Sequence, residues 1–184
     1  MSLVVYNSQS RKKEKFEPLS PPQVKMYCCG PTVYGLLHVG NFRGAIFYNL
    51  VRNWLTHLGY KVTMVYNYTD VDDKIINRAK EEGVSSEQVA EKYIKEFETD
   101  FSRLGLKKHD LNPKVTESMN DILNIVETLI ENKKAYAATN GDVWYSIRSF
   151  EGYGKLSNRN PDDLMAGVRI EKDDSKKDPL DFAL

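Results

Sequence analysis

Residues 24–29 (VKMYCC) carry an alternation blurred toward continuous apolarity, the pattern of a strand buried on both faces, and Gly30-Pro31 ends it. Beyond residue 38 the period lengthens. Phe47, Leu50, Val51, Trp54, Leu55 and Leu58 recur every three or four positions, which predicts a helix with those side chains on its core face, stopped by Gly59. Residues 61–67 (KVTMVYN) are rich in Val and Tyr and predict a second strand. Two strands joined through one long helix predict a right-handed parallel crossover, the unit of a doubly wound sheet.

A helix follows over residues 71–82, closed by Gly83. Ser85 with Gln88 three residues on is a capping box, and it opens a helix with Val89, Tyr93, Phe97, Phe101 and Leu104 along one side. The polar run 107–113 (KKHDLNP) breaks the pattern. After it come a helix at about 116–132, with Ile122, Leu123, Ile125, Val126, Leu129 and Ile130, and two short runs at 135–138 and 143–147. These flank Asn140-Gly141, a hairpin signal because both residues tolerate positive φ. From Phe150 onward periodicity fades. This second part reads as an α+β insertion with an antiparallel hairpin and a long loop. The last residues, Asp181-Phe182-Ala183-Leu184, begin an apolar run and read as a chain cut on entering a core element.

Composition narrows the classes. A chain of 184 residues with this apolar content can build one sizeable domain plus an insertion. Basic and acidic residues balance at 26 each, which argues against a strongly basic nucleic-acid clamp. Arg11-Lys12-Lys13 and Lys107-Lys108 read as solvated surface before they read as phosphate contacts. No stretch approaches the ~20 apolar residues of a membrane span, and the opening residues lack a secretory pattern. The two adjacent cysteines, Cys28 and Cys29, do not have the spacing of a disulfide framework, so the chain reads as reduced and cytoplasmic.

Candidate chemistry gathers where the first strand meets the first helix. In an open α/β sheet, ligands bind beyond the carboxyl ends of the strands. Cys29, Gly30, Thr32, His38, Gly40 and Asn41 belong to such a junction, where glycines admit close approach and a helix start favours an anion. His38 there could donate to a phosphoryl oxygen and stabilise charge that develops in a displacement. Thr69, at the end of the second strand, could reach the same cleft as Gly30 and Thr32. Strand alternation sends Cys28 and Cys29 to opposite faces, one to the core and one to the cleft. Asp70, Asp72 and Asp73 could suggest Mg²⁺, but helix capping and dipole complementarity account for their position without a metal. One cysteine with the scattered His57 and His109 does not make a four-ligand zinc site.

Several motifs, in order, resemble one family. Tyr6-Asn7, Arg11-Lys12-Lys13-Glu14 and Phe16-Glu17-Pro18 are followed by MYCCGPTVYG, HVGN, NYTDVDDKI, NGDVWYSI, YGKLS, GVR and DFAL. The chain resembles the N-terminal portion of the cysteinyl-tRNA synthetases, class I aminoacyl-tRNA synthetases, with HVGN as the form of the class I HIGH motif. The resemblance implies an α/β fold: the first half of a Rossmann-like (HUP-type) parallel sheet at 1–112, a connective α+β insertion at 113–177, and a return toward the catalytic domain at 178–184. It implies ATP, used with Mg²⁺, as a substrate, with His38, Gly40 and Asn41 serving it and His38 catalytic. Gly30, Thr32 and Thr69 would line the pocket for L-cysteine, and tRNA(Cys) would be the acyl acceptor.

The resemblance also implies that Cys29 is the first protein ligand of a Zn²⁺ that binds the substrate thiolate, a bond the hydroxyl of serine cannot match. The remaining ligands, the KMSKS loop and the anticodon-binding region would lie downstream of Leu184. The 184-residue chain by itself is therefore expected to hold no zinc and to catalyse little or no adenylation. Two departures stand out: Asn41 is the fourth residue of the HIGH motif, and Lys114 follows Pro113 where an arginine is expected. One other reading shares this half of the chemistry, an ATP-dependent ligase of cysteine with an amino sugar; another, of a different class, is a free-standing nucleotide-binding module with no catalysis.

Overall fold

A computed structural model of the chain describes residues 3–160 and 175–184. The GVR motif, residues 167–169, lies outside the described residues. The chain forms two compact units, one at Glu17–Met119 and the other combining the described residues of Ser2–Phe16 and Asn120–Leu184. The larger unit thus extends past 112, and the first residues group with the smaller one.

The larger unit is built on two parallel strands, β3 (Gln23–Cys28) and β4 (Lys61–Tyr66), in register from Gln23 opposite Lys61 to Cys28 opposite Tyr66. Helix α1 (Val39–His57) makes the crossover between them, as the pattern predicts. Segment 110–114 continues the sheet on the far side of β4. The Tyr66 N–H donates to the Leu111 carbonyl and the Tyr68 N–H to that of Pro113, with parallel bridges at Val65–Leu111 and Tyr68–Lys114. Charge and proline disguise this bridging segment in the sequence, and Pro113, lacking an N–H, suits a sheet edge. Buried Asp70 then accepts from the Val115 and Thr116 N–H groups and the Thr116 hydroxyl, holding the chain in this unit beyond residue 113.

Helices α2 (Asp73–Glu82) and α3 (Ser86–Arg103) pack against each other and complete the core. Asp72 caps α2 by accepting from the Lys74 N–H, so the helix begins two residues later than predicted, and Gly83 ends it in the left-handed region at φ 66°. The Ser85–Gln88 capping box of α3 forms as predicted. Val89, Ala90, Tyr93, Phe97 and Phe101 of α3 are buried. Phe97 stacks on Phe42 and Tyr66, and Tyr66 stacks in turn on His109 at 4.4 Å.

Two expectations about burial fail. Strand β3 is buried on one face only: Val24 and Cys28 are buried, whereas Gln23, Lys25 and Tyr27 are exposed. On α1 the core face carries Phe42, Ala45, Arg52 and Leu55, while Phe47, Leu50 and Trp54 are exposed. The rotation follows from Arg52. Its guanidinium donates to the Lys107 and Lys108 carbonyls and to Asp110, which also accepts the Met64 N–H of β4. A charge satisfied in this way can be buried where hydrophobic periodicity predicts an outward face.

The smaller unit contains an antiparallel hairpin, β1 (Val4–Asn7) with β2 (Lys12–Lys15), that the pattern does not predict. Helix α4 (Met119–Glu131) enters it. Strands β5 (Ala135–Ala137) and β6 (Val143–Tyr145) form the hairpin expected around Asn140-Gly141, and β7 (Phe182–Ala183) pairs antiparallel with β6. A short 3-10 turn, Ile147–Ser149, replaces the last residues of the predicted strand. Buried Asp181 organises this unit by accepting from the Tyr136 hydroxyl at 2.6 Å, the Ile147 N–H and the Asp178 N–H.

Candidate active site

The carboxyl ends of β3 and β4 and the N-terminus of α1 carry two clusters, and each contains residues singled out in the sequence. The first is the start of α1. His38 is the N-cap; its Nδ1 accepts the Gly40 N–H at 3.0 Å, and the Asn41 side-chain oxygen accepts the His38 N–H at 3.0 Å. This is a capping box in which imidazole and carboxamide replace the usual hydroxyl and carboxylate. A neutral imidazole that accepts at Nδ1 carries its proton on Nε2, so the cap fixes the tautomer and leaves an N–H donor at the other edge of the exposed ring. A Cβ on residue 40 would lie 2.8 Å from His38 Cε1 and 3.0 Å from Nδ1, so Gly40 is what lets the ring lie over the helix start. With its oxygen engaged in the cap, Asn41 keeps its amide N–H groups as donors.

The second cluster lies at the strand ends. Thr32 and Thr69 face each other in a parallel bridge, fixed by Thr69 N–H to the Pro31 carbonyl at 3.1 Å and Val33 N–H to the Thr69 carbonyl at 3.2 Å. Gly30 donates its N–H to the Asn67 side chain at 2.9 Å, and Asn67 donates to the Thr69 hydroxyl at 3.3 Å. A Cβ on residue 30 would come within 1.7 Å of the Asn67 carbonyl oxygen, a close approach that only glycine permits. Gly30, Thr32 and Thr69 are thus brought together, joined by Asn67, which the sequence reading did not single out. Its signal was its place just past the end of a strand, facing a Gly-Pro turn.

The adjacent cysteines part as alternation requires. Cys28 is buried and burial pushes its thiol up, whereas Cys29 is exposed with its Sγ 3.8 Å from the Gly30 carbonyl. Among the described residues no group of three or more His, Cys, Asp or Glu side chains could hold a metal ion. Cys29 is therefore a single donor among them, and that donor set does not by itself fit zinc. Of the aspartates after Thr69, Asp70 anchors segment 115–116, Asp72 caps α2 and Asp73 lies in its first turn. His109 and His57 stand apart, His109 against Tyr66 and Phe101 and His57 beside Trp54.

Comparison with known proteins gives the family. Residues 15–184 match the family model described as tRNA synthetases class I (C) catalytic domain. The chain belongs to this family. The cysteine–tRNA ligase of Bdellovibrio bacteriovorus is 63% identical over 182 residues, spanning 99% of this chain and 38% of that protein. The cysteine–tRNA ligase of Bacillus pumilus is 53% identical over 184 residues, covering 100% of this chain and 39% of that protein. The chain thus spans less than two fifths of the length of these relatives. Among solved structures, the Agrobacterium radiobacter K84 leucyl-tRNA synthetase in ternary complex with tRNA and LeuAMS superposes with TM-score 0.52 at 18% identity, covering 74% of this chain and 19% of that one. At that identity the likeness speaks for the fold, and it agrees with the Rossmann-like α/β reading. No helix among the described residues is long and apolar enough to cross a membrane.

Proposed function

We propose that this class I synthetase chain is part of a cysteine–tRNA ligase. The reaction activates L-cysteine with ATP to cysteinyl-adenylate and pyrophosphate, then transfers the cysteinyl group to the 3′ end of tRNA(Cys). The observation that carries the reading is the His38–Gly40–Asn41 cap at the start of α1, together with the Gly30–Thr32–Thr69 cluster at the strand ends, in a chain of this family. Attack of the cysteine carboxylate on the α-phosphorus builds negative charge on the phosphoryl oxygens. The His38 Nε2–H and the Asn41 amide are donors preorganised at a helix N-terminus to receive that charge. Gly40 serves by shape, since its own N–H is spent on the His38 ring. Gly30, Thr32 and Thr69 form the wall for the amino acid.

The same reading divides the chain into a catalytic half-domain at 1–112, a connective insertion at 113–177 and a return at 178–184, and it places the protein in the cytoplasm. It assigns Mg²⁺ to the ATP, and Cys29 to a zinc site completed by residues outside this chain. The test is pyrophosphate exchange into ATP, dependent on cysteine, by the full-length protein that carries this chain. His38→Ala is expected to lower the exchange rate by ~10²–10³-fold. Absence of exchange in the wild type, or cysteinylation of an amino sugar and not of tRNA, overturns the reading.

A further inference from the structure

We infer that Asn67 is a positioning residue: it clamps the Cys29–Gly30 turn to Thr69 and so sets the wall that holds the amino-acid substrate, an inference that rests on the ligase reading for its substrate half. One carboxamide spans both sides of the cluster. Its Oδ1 accepts from the Gly30 N–H at 2.9 Å and from the Tyr27 hydroxyl at 3.0 Å, and its Nδ2 donates to the Thr69 hydroxyl at 3.3 Å. Its own backbone carbonyl fills the space that a side chain on residue 30 would need. The turn after β3 therefore meets Asn67 through both main chain and side chain.

The chemistry selects this residue type. A carboxamide is an acceptor with two lone pairs and a double donor in one plane, which matches two donors on the β3 side and one acceptor on the other. Aspartate would keep the two acceptor contacts and could accept the Thr69 hydroxyl proton, but it would lose the donor. In the observed arrangement Thr69 Oγ accepts from Asn67, so its hydroxyl proton is directed elsewhere, toward an acceptor such as a substrate carboxylate. Thr69 is held on its main chain as well, through the Pro31 carbonyl and the Val33 N–H. The substrate wall is thus a closed set of hydrogen bonds with Asn67 at its centre, and Asn67 need not touch the substrate to shape it.

Two measurements test this. In the 184-residue chain, Asn67→Ala is expected to speed hydrogen exchange of the Gly30 amide by ~10-fold or more, with the amides of α3 unchanged, while Asn67→Asp keeps the Gly30 amide protected. In the full-length protein, Asn67→Ala is expected to raise KM for cysteine by ~10-fold and change KM for ATP by less than ~2-fold, a split that a general loss of structure would not produce. Unchanged Gly30 exchange overturns the clamp. Faster Gly30 exchange with equal effects on both KM values overturns the substrate role. A wild-type full-length protein without cysteine-dependent exchange overturns the ligase reading and the substrate half with it, and amide exchange then decides the clamp alone.

Discussion

His109 should make the larger unit acid-sensitive through a single ring. The imidazole stacks on Tyr66 at 4.4 Å and against Phe101 at 4.6 Å. Its Nδ1 pairs with the Asn112 amide, and its buried Nε2 has no partner among the described residues. Burial, and then the nearby Arg52 guanidinium, pull its pKa from 6.5 down to about 4, against a smaller upward pull from Asp110. The folded state thus holds the ring neutral where the unfolded chain would protonate it. Stability from this group is complete above pH 6.5 and is lost as pH falls toward 4, because the unfolded state binds the extra proton in that window. A shift of that size has a ceiling of about 3 kcal/mol, and solvent near a half-buried ring brings the expected loss to about 1–3 kcal/mol. The assay is urea unfolding between pH 7 and 4 for the wild type and His109→Phe, both on a Trp144→Phe background, so that Trp54 reports the larger unit. Carboxylate titration is common to both proteins and cancels in the difference. His109→Phe should lose less stability than the wild type across this window, by that amount. A His109 ring that titrates near 6.5 in the folded protein by NMR, or parallel pH profiles for the two proteins, would refute the reasoning.

Three further outcomes follow from buried or divided groups. Titration with a thiol reagent at pH 8 should modify one equivalent quickly, at Cys29, and the second slowly, because Cys28 is buried and its thiol pKa raised; two fast equivalents would contradict the strand alternation. Arg52→Leu should cost about 3 kcal/mol, because it orphans two carbonyls and breaks the pair with Asp110; a loss under ~1 kcal/mol in urea unfolding would show that the pair does not hold α1 to the sheet. Asp181→Ala leaves the Tyr136 hydroxyl and two N–H groups without their acceptor and should destabilise the smaller unit by about 3 kcal/mol, seen in Trp144 and not in Trp54 fluorescence.

What the sequence discloses depends on whether the governing interaction is periodic. The β3–α1–β4 crossover, the Ser85 capping box and the Asn140-Gly141 hairpin all announce themselves through spacing or turn chemistry, and all three form. The rotation of α1 does not, because Arg52 is buried by partners 55 to 58 residues away that no local window contains. Segment 110–114 hides for a related reason: its hydrogen bonds belong to β4, and its Asp, Asn and Pro look like loop residues until Asp110, Asn112 and Asp70 are seen accepting and donating at the sheet edge.

The candidate site divides along the same line. His38, Gly40 and Asn41 lie within four residues of one another, so their motif and their geometry coincide, and the capping box gives a physical reason for each position. Asn41 is instructive here. As the fourth residue of a HIGH motif it reads as a departure, but the cap needs an acceptor at that position, and a carboxamide supplies one while keeping its donors. Asn67 is the opposite case. It acts across 37 residues on Gly30 and 40 on Tyr27, so its role exists only once β3 and β4 are paired. A residue that positions a site from the neighbouring strand leaves no local motif, and the glycine it crowds is the visible half of the pair.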